Sequence, residues 1–186
     1  MIPLLSYLKF WWQSKNEHGV HSPFVYELVT KCFYDRTKHN AYSRLYKTDS
    51  KTKFLVRLSA YFKFKSCFIP ESIAKNFEHA LTLENKTYKF KTFEDLIKTD
   101  SAILKTPCLI YVDAITIEQH SIVNLLEICH RDSLILVESI RETKAQFKQW
   151  NQLKSVQDVM VSIDTFYWGL LFLRNEQAKE HFTIRL

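Results

Sequence analysis

Glycine is nearly absent from this chain, at 2 of 186 residues, against a usual ~7%. Loops that cradle phosphates or nucleotides place glycine where backbone must approach the ligand. Gly19 and Gly169 cannot spell any such motif. The glycine-flanked turn that presents a catalytic serine is missing too, so a Ser-His-Asp arrangement has no local support. Cysteine is sparse and scattered. Cys32, Cys67, Cys108 and Cys129 form no C-x-x-C pair, which removes zinc-ribbon and thioredoxin-like readings. Each stands in apolar company, as a small hydrophobe does in a reducing compartment. No apolar run reaches the ~18 residues of a membrane span. Lys9 and Gln13 interrupt the first apolar run, and no small-residue cleavage site follows it. The expectation is a cytoplasmic protein without a membrane span.

What is present suits one domain, residues 1–186. The chain is 46% hydrophobic and 15% aromatic, enough for a real core. A net charge of +6 admits nucleic acid, an anionic membrane surface or an acidic partner. No dense Lys/Arg block appears, so the plain reading is a lysine-rich solvated surface. In 46–65, Lys47, Lys51, Lys53, Arg57, Lys63 and Lys65 alternate with Tyr46, Tyr61, Phe62 and Phe64. That mixture suits phosphate contact and base stacking. It equally suits an amphipathic helix with its aromatics inward.

Residues 4–13 read as a short amphipathic helix that docks on the domain or on a second subunit, with a membrane-interface helix as the alternative for Trp11 and Trp12. Ser22 then Pro23 is a cap followed by a first helical residue, opening a helix to about Phe33. His18 and His21 precede it, and their H-x-x-H lacks further ligands at metal spacing. Residues 54–62 resume helical periodicity. A strand is expected over 66–69, stopped by Pro70, then a helix over 71–83, an edge strand over 88–90 and a helix over 93–104. Residues 109–114, an apolar run Leu109–Val112 ending on Asp113, read as a strand buried on both faces. A helix over 117–130, a buried strand over 133–140 carrying Glu138, and a helix over 141–154 follow. Segments 159–166 and 170–174 read as an antiparallel hairpin with its tight turn at Trp168-Gly169, before a last strand over 182–186. Strand–helix alternation argues a parallel sheet with helices on both faces.

His18-Gly-Val-His-Ser-Pro-Phe-Val25 with Leu28-Val-Thr-Lys-Cys-Phe-Tyr34, and the tail from Ile163 to Arg185, resemble the two end signatures of a Bacteroidetes group of class I S-adenosylmethionine-dependent methyltransferases. The group is of the small O-methyltransferase-like kind. The resemblance implies an α/β fold with a Rossmann-like methyltransferase sheet, mostly parallel with a C-terminal antiparallel hairpin. Helices of 1–62 would pack on a core formed by 63–186. It also implies a cofactor pocket at the carboxyl ends of the first, second and fourth strands, with Phe68, Pro70, Glu71 and Asp113 as its candidates here. If the chain is active, Asp113, Glu138 and His21 are the catalytic candidates.

The departures fall on that pocket. Where the family has a glycine-rich loop, this chain reads Cys67-Phe-Ile-Pro-Glu-Ser-Ile-Ala-Lys75, and a β-carbon at each position crowds the cofactor's approach. Between Pro70 and Pro107 there is too little chain for a full set of strand–helix units, so the fold is expected to be reduced by about one. A divalent-metal site would keep at best Asp113 and Glu138, so no metal is expected. Asp113 reads equally as a cofactor-facing acid and as a helix cap, a role Thr116 could also fill.

The expected function is therefore a methyltransferase-fold protein without S-adenosylmethionine, acting as a binding or scaffold protein toward a protein partner or a second copy. The alternatives are an active S-adenosylmethionine-dependent methyltransferase with an atypical pocket, and a nucleic-acid-binding module.

Overall fold

The computed structural model describes residues 4–16, 19–37, 42–43, 50–75, 86–90, 92, 95–96, 104–112 and 123–186. Expectations for His18, Tyr46, Lys47, Asp113, Thr116, 117–122 and most of 76–103 lie outside them. The first elements are helical: α1 (Leu4–Gln13), α2 (Pro23–Leu28), a π-helical turn over Val29–Phe33, and α3 (Ser50–Phe62). After β1 (Ser66–Pro70) and β2 (Lys86–Phe90) come β3 (Cys108–Val112), α4 (Val123–Ile128), β4 (Leu134–Glu138) and α5 (Lys144–Ser155). The chain then forms β5 (Val161–Asp164), β6 (Trp168–Phe172) and β7 (Glu180–Thr183).

Two helix starts show the local chemistry. The Ser22 hydroxyl accepts from the Val25 amide at 3.5 Å, with Pro23 opening α2, as the Ser-Pro pair predicts. α5 opens on a reciprocal pair the sequence reading did not single out. The Gln146 amide donates to Thr143 Oγ1 at 3.1 Å, and the Thr143 amide donates to Gln146 Oε1 at 2.7 Å.

The strands form one seven-stranded sheet in the order β2-β1-β3-β4-β6-β5-β7. Neighbours pair in parallel except at β6, which is antiparallel to both β4 and β5. The sheet is thus mostly parallel, and the C-terminal hairpin is its one reversal. β3 is buried along its whole length and lies between β1 and β4, as its uninterrupted apolar run predicts.

Side-chain alternation splits the core into two layers. Leu109, Tyr111, Leu134 and Leu136 face Leu28, Phe54, Leu55 and Leu58 of the N-terminal helices. Ile110, Val112, Ile135 and Val137 face Leu125, Leu126, Trp150 and Leu153 of α4 and α5. Among the described residues, α2, the π-helical turn and α3 pack on one face of the sheet, with Ile73 also against it. The α/β class with helices on both faces follows from this period-two division.

The hairpin turn departs from expectation. It lies at Thr165–Tyr167, where Phe166 adopts a φ of 77°, and not at Trp168-Gly169. Gly169 stands inside β6, opposite Val137 on one side and Asp164 on the other. A β-carbon there would lie 2.4 Å from Trp150 Cζ3, so glycine is required by the indole packed over the strand. The last strand begins earlier than expected, at Glu180, and beyond it Ile184 makes an isolated parallel bridge with Lys15.

Candidate functional site

Parallel strands bring their carboxyl ends to one edge of the sheet, where ligands of open α/β folds sit. Because β5 runs with β4, its turn into β6 stands at that same edge.

At the β1 end, the chain passes from Pro70 straight into a helical turn over 71–75 with no loop residue between. Phe68 is buried, and its ring stacks on Tyr88 of β2 at 5.0 Å between centroids. Pro70 is buried at the strand end and Glu71 is exposed. The three described pocket candidates are therefore neighbours, as the strand assignment requires.

At the β4 end, Glu138 is half-buried and accepts a hydrogen bond from the Tyr111 hydroxyl of β3. His21 is exposed and lies elsewhere, in a recess of about 290 Å³ shared with Lys15, Glu180 and His181. Glu138 does not line that recess, so these two catalytic candidates are not brought into one site. Within the His21 recess, His181 Nδ1 lies 2.9 Å from the Ser162 hydroxyl. Burial, with Lys154 and Lys179 nearby, holds the imidazole below its ordinary pKa. No group of three or more His, Cys, Asp or Glu among the described residues could hold a metal ion.

The larger recess, about 460 Å³, opens at the β5–β6 turn. Tyr7 and Trp11 of α1 form one wall, Lys53, Phe54 and Arg57 of α3 another, and Phe166 to Trp168 with Arg185 close it. Trp168 is stacked on Phe54, 4.8 Å between centroids and 22° between planes. Trp11 carries the Arg185 guanidinium 5.0 Å over its ring. Three cations line this cleft, and among the described residues no Asp or Glu side chain does. The Arg57 side chain is hydrogen-bonded to Tyr42, and its Nε–H is sealed from solvent with no partner of its own among the described residues.

Beneath the turn, Arg141 and Asp164 form a nearly buried ion pair at 2.6 Å. Asp164 Oδ1 also accepts from the Phe166 amide at 2.9 Å, fixing the turn that carries Tyr167 and Trp168 into the cleft. Of the basic and aromatic residues in 46–65, Phe54 and Phe64 are buried in the core, and Tyr61 and Phe62 are packed partly against it. Tyr46 and Lys47 lie outside the described residues.

All four cysteines are free and buried. Burial pushes the thiols of Cys32, Cys67 and Cys129 up to about 12, so none is a nucleophile at neutral pH. No helix among the described residues is long and apolar enough to cross a membrane.

The fold and its larger cleft define an α/β protein with a mixed sheet and a cationic, aromatic-walled recess at the sheet's carboxyl edge. No protein-family profile, curated protein or solved structure matches the chain.

Proposed function

We propose that this chain is a methyltransferase-like Rossmann protein that does not bind S-adenosylmethionine and works as a binding protein. The reading is supported by the strand order β2-β1-β3-β4-β6-β5-β7 with β6 alone reversed. β1 to β6 are arranged as the resembled family's sheet would be after the loss of one outer strand–helix unit, and β7 is an added edge strand beside β5.

One observation carries the loss of cofactor. The resembled family holds its cofactor on a glycine-rich loop after the first strand, and here Pro70 and the helical turn at Glu71 are consecutive. Among the described residues no such loop follows β1, and Phe68 is committed to its stack on Tyr88. Transition-state chemistry needs the cofactor held rigidly in near-attack geometry, and the described end of β1 gives it no such hold. Exposed Leu5, Leu8 and Trp12 on one side of α1 suit contact with a partner.

Isothermal titration of the folded protein with S-adenosylmethionine tests the reading. No binding up to millimolar cofactor is expected. A micromolar dissociation constant restores the active methyltransferase as the better account.

A further inference from the structure

We propose that the cleft at the β5–β6 turn binds a nucleoside monophosphate, a planar heteroaromatic ring carrying a phosphate. This rests on the binding role proposed above and names its ligand class.

Lys53, Arg57 and Arg185 converge on one recess of about 460 Å³, and no acidic side chain among the described lining residues offsets them. The cations come from two segments far apart in sequence, α3 and the residues after β7, so the convergence is a product of the fold. Like charges gathered in a concave, partly apolar space repel unless an anion joins them. Arg57 reaches the cleft from α3 with its guanidinium over the Phe54 ring and hydrogen-bonded to Tyr42. A guanidinium held in place beside other cations suits the fork geometry of a phosphate.

The walls specify the rest. Tyr167 stands half-exposed at the rim beside Trp11, whose ring carries the Arg185 guanidinium, and the mutually stacked pair Phe54 and Trp168 forms the floor. Such an aromatic surround favours a planar ring. The volume falls within the range of small-ligand sites. Glycine-built phosphate loops are closed to this chain, and side-chain cations replace them here. S-adenosylmethionine fits this cleft poorly, because its sulfonium centre is cationic.

Calorimetric titration of the full chain with AMP, GMP, CMP and UMP at low ionic strength tests this, with adenosine and ribose 5-phosphate as single-part probes. At least one monophosphate is expected to bind in the ~10 µM range usual for a ligand of that size. Adenosine and ribose 5-phosphate should each bind at least about tenfold more weakly, since each lacks one half of the recognition. Arg57→Gln and Arg185→Gln should each weaken binding roughly tenfold, with unchanged circular dichroism. Should Arg57→Gln fail to fold, Lys53→Gln and Arg185→Gln carry the test. If no monophosphate binds at millimolar concentration, or if the variants bind as the parent does, the proposal falls. If ribose 5-phosphate binds as tightly as the nucleotide, the ring specificity is overturned. These outcomes are separate from the cofactor titration. Micromolar S-adenosylmethionine binding overturns the loss of cofactor alone, and absent nucleotide binding overturns this site alone.

Discussion

Arg141 and Asp164 meet at two points beneath the β5–β6 turn: Nη2 donates to Oδ2 at 2.6 Å and Nε donates to Oδ1 at 3.3 Å. Their side chains are only 11% and 4% exposed. The guanidinium also lies 4.2 Å over the Phe147 ring, so the pair links the turn to α5. Removing one member strands the other in low dielectric, which costs about 3–5 kcal/mol. Asp164→Asn or Arg141→Met should therefore lower the unfolding free energy by that amount in urea titrations. The double variant Arg141→Met, Asp164→Leu should recover much of the loss, because no buried charge is left alone.

Gly169→Ala is expected to cost about 1–3 kcal/mol, the usual penalty for overpacking. The added carbon would sit 2.4 and 2.5 Å from Trp150 Cζ3 and Cη2. Trp150→Leu should be costly alone, and the two changes together should cost less than their sum. Denaturant unfolding of the four-protein cycle measures that coupling, and simple additivity would contradict the contact.

The buried thiols set an alkaline limit. Cys32, Cys67 and Cys129 titrate near 12 in the folded chain because burial penalises the thiolate, against an ordinary 9.0. The unfolded chain loses these protons first, so their contribution is complete below about pH 9 and is lost as pH rises toward 12. Unfolding free energy should fall steeply across that window, by up to ~1.4 kcal/mol per pH unit for each thiol. Native protein at pH 8 should resist a thiol reagent that labels all four cysteines in denaturant.

His181 gives the opposite dependence. Its pKa is held below the ordinary 6.5 by burial and by Lys154 and Lys179, while Ser162 bonds its Nδ1. The unfolded chain takes up the proton first on acidification, so this stability is present above 6.5 and declines as pH falls below it. Thermal unfolding between pH 7 and 5 should show the decline, and His181→Gln should flatten it.

The buried strands were legible because Leu109–Val112 and Leu134–Val137 are unbroken apolar runs, which only a strand covered on both faces requires. Ser22-Pro23 marked its helix for an equally local reason. The hairpin turn was misplaced because glycine signals a turn by habit, whereas Gly169 is demanded by Trp150, nineteen positions away and on another element. The cationic cleft had no motif to find. Its walls come from α1, α3, the β5–β6 turn and residues 185–186, and no fixed spacing links those segments. The available hint was Lys53 and Arg57, one helical turn apart on α3. The Arg141–Asp164 pair joins residues 23 positions apart with no motif between them, so only the fold reveals it.

The bridge between Lys15 and Ile184 bears on how the molecule is made. Lys15 donates to the Thr183 carbonyl at 2.8 Å and accepts from the Arg185 amide at 3.3 Å, so the segment after α1 is fastened by residues near the far end of the sequence. Whatever the order of folding elsewhere, α1 cannot be fastened before synthesis has passed Thr183. Until then the recess that Trp11 and Arg185 frame does not exist.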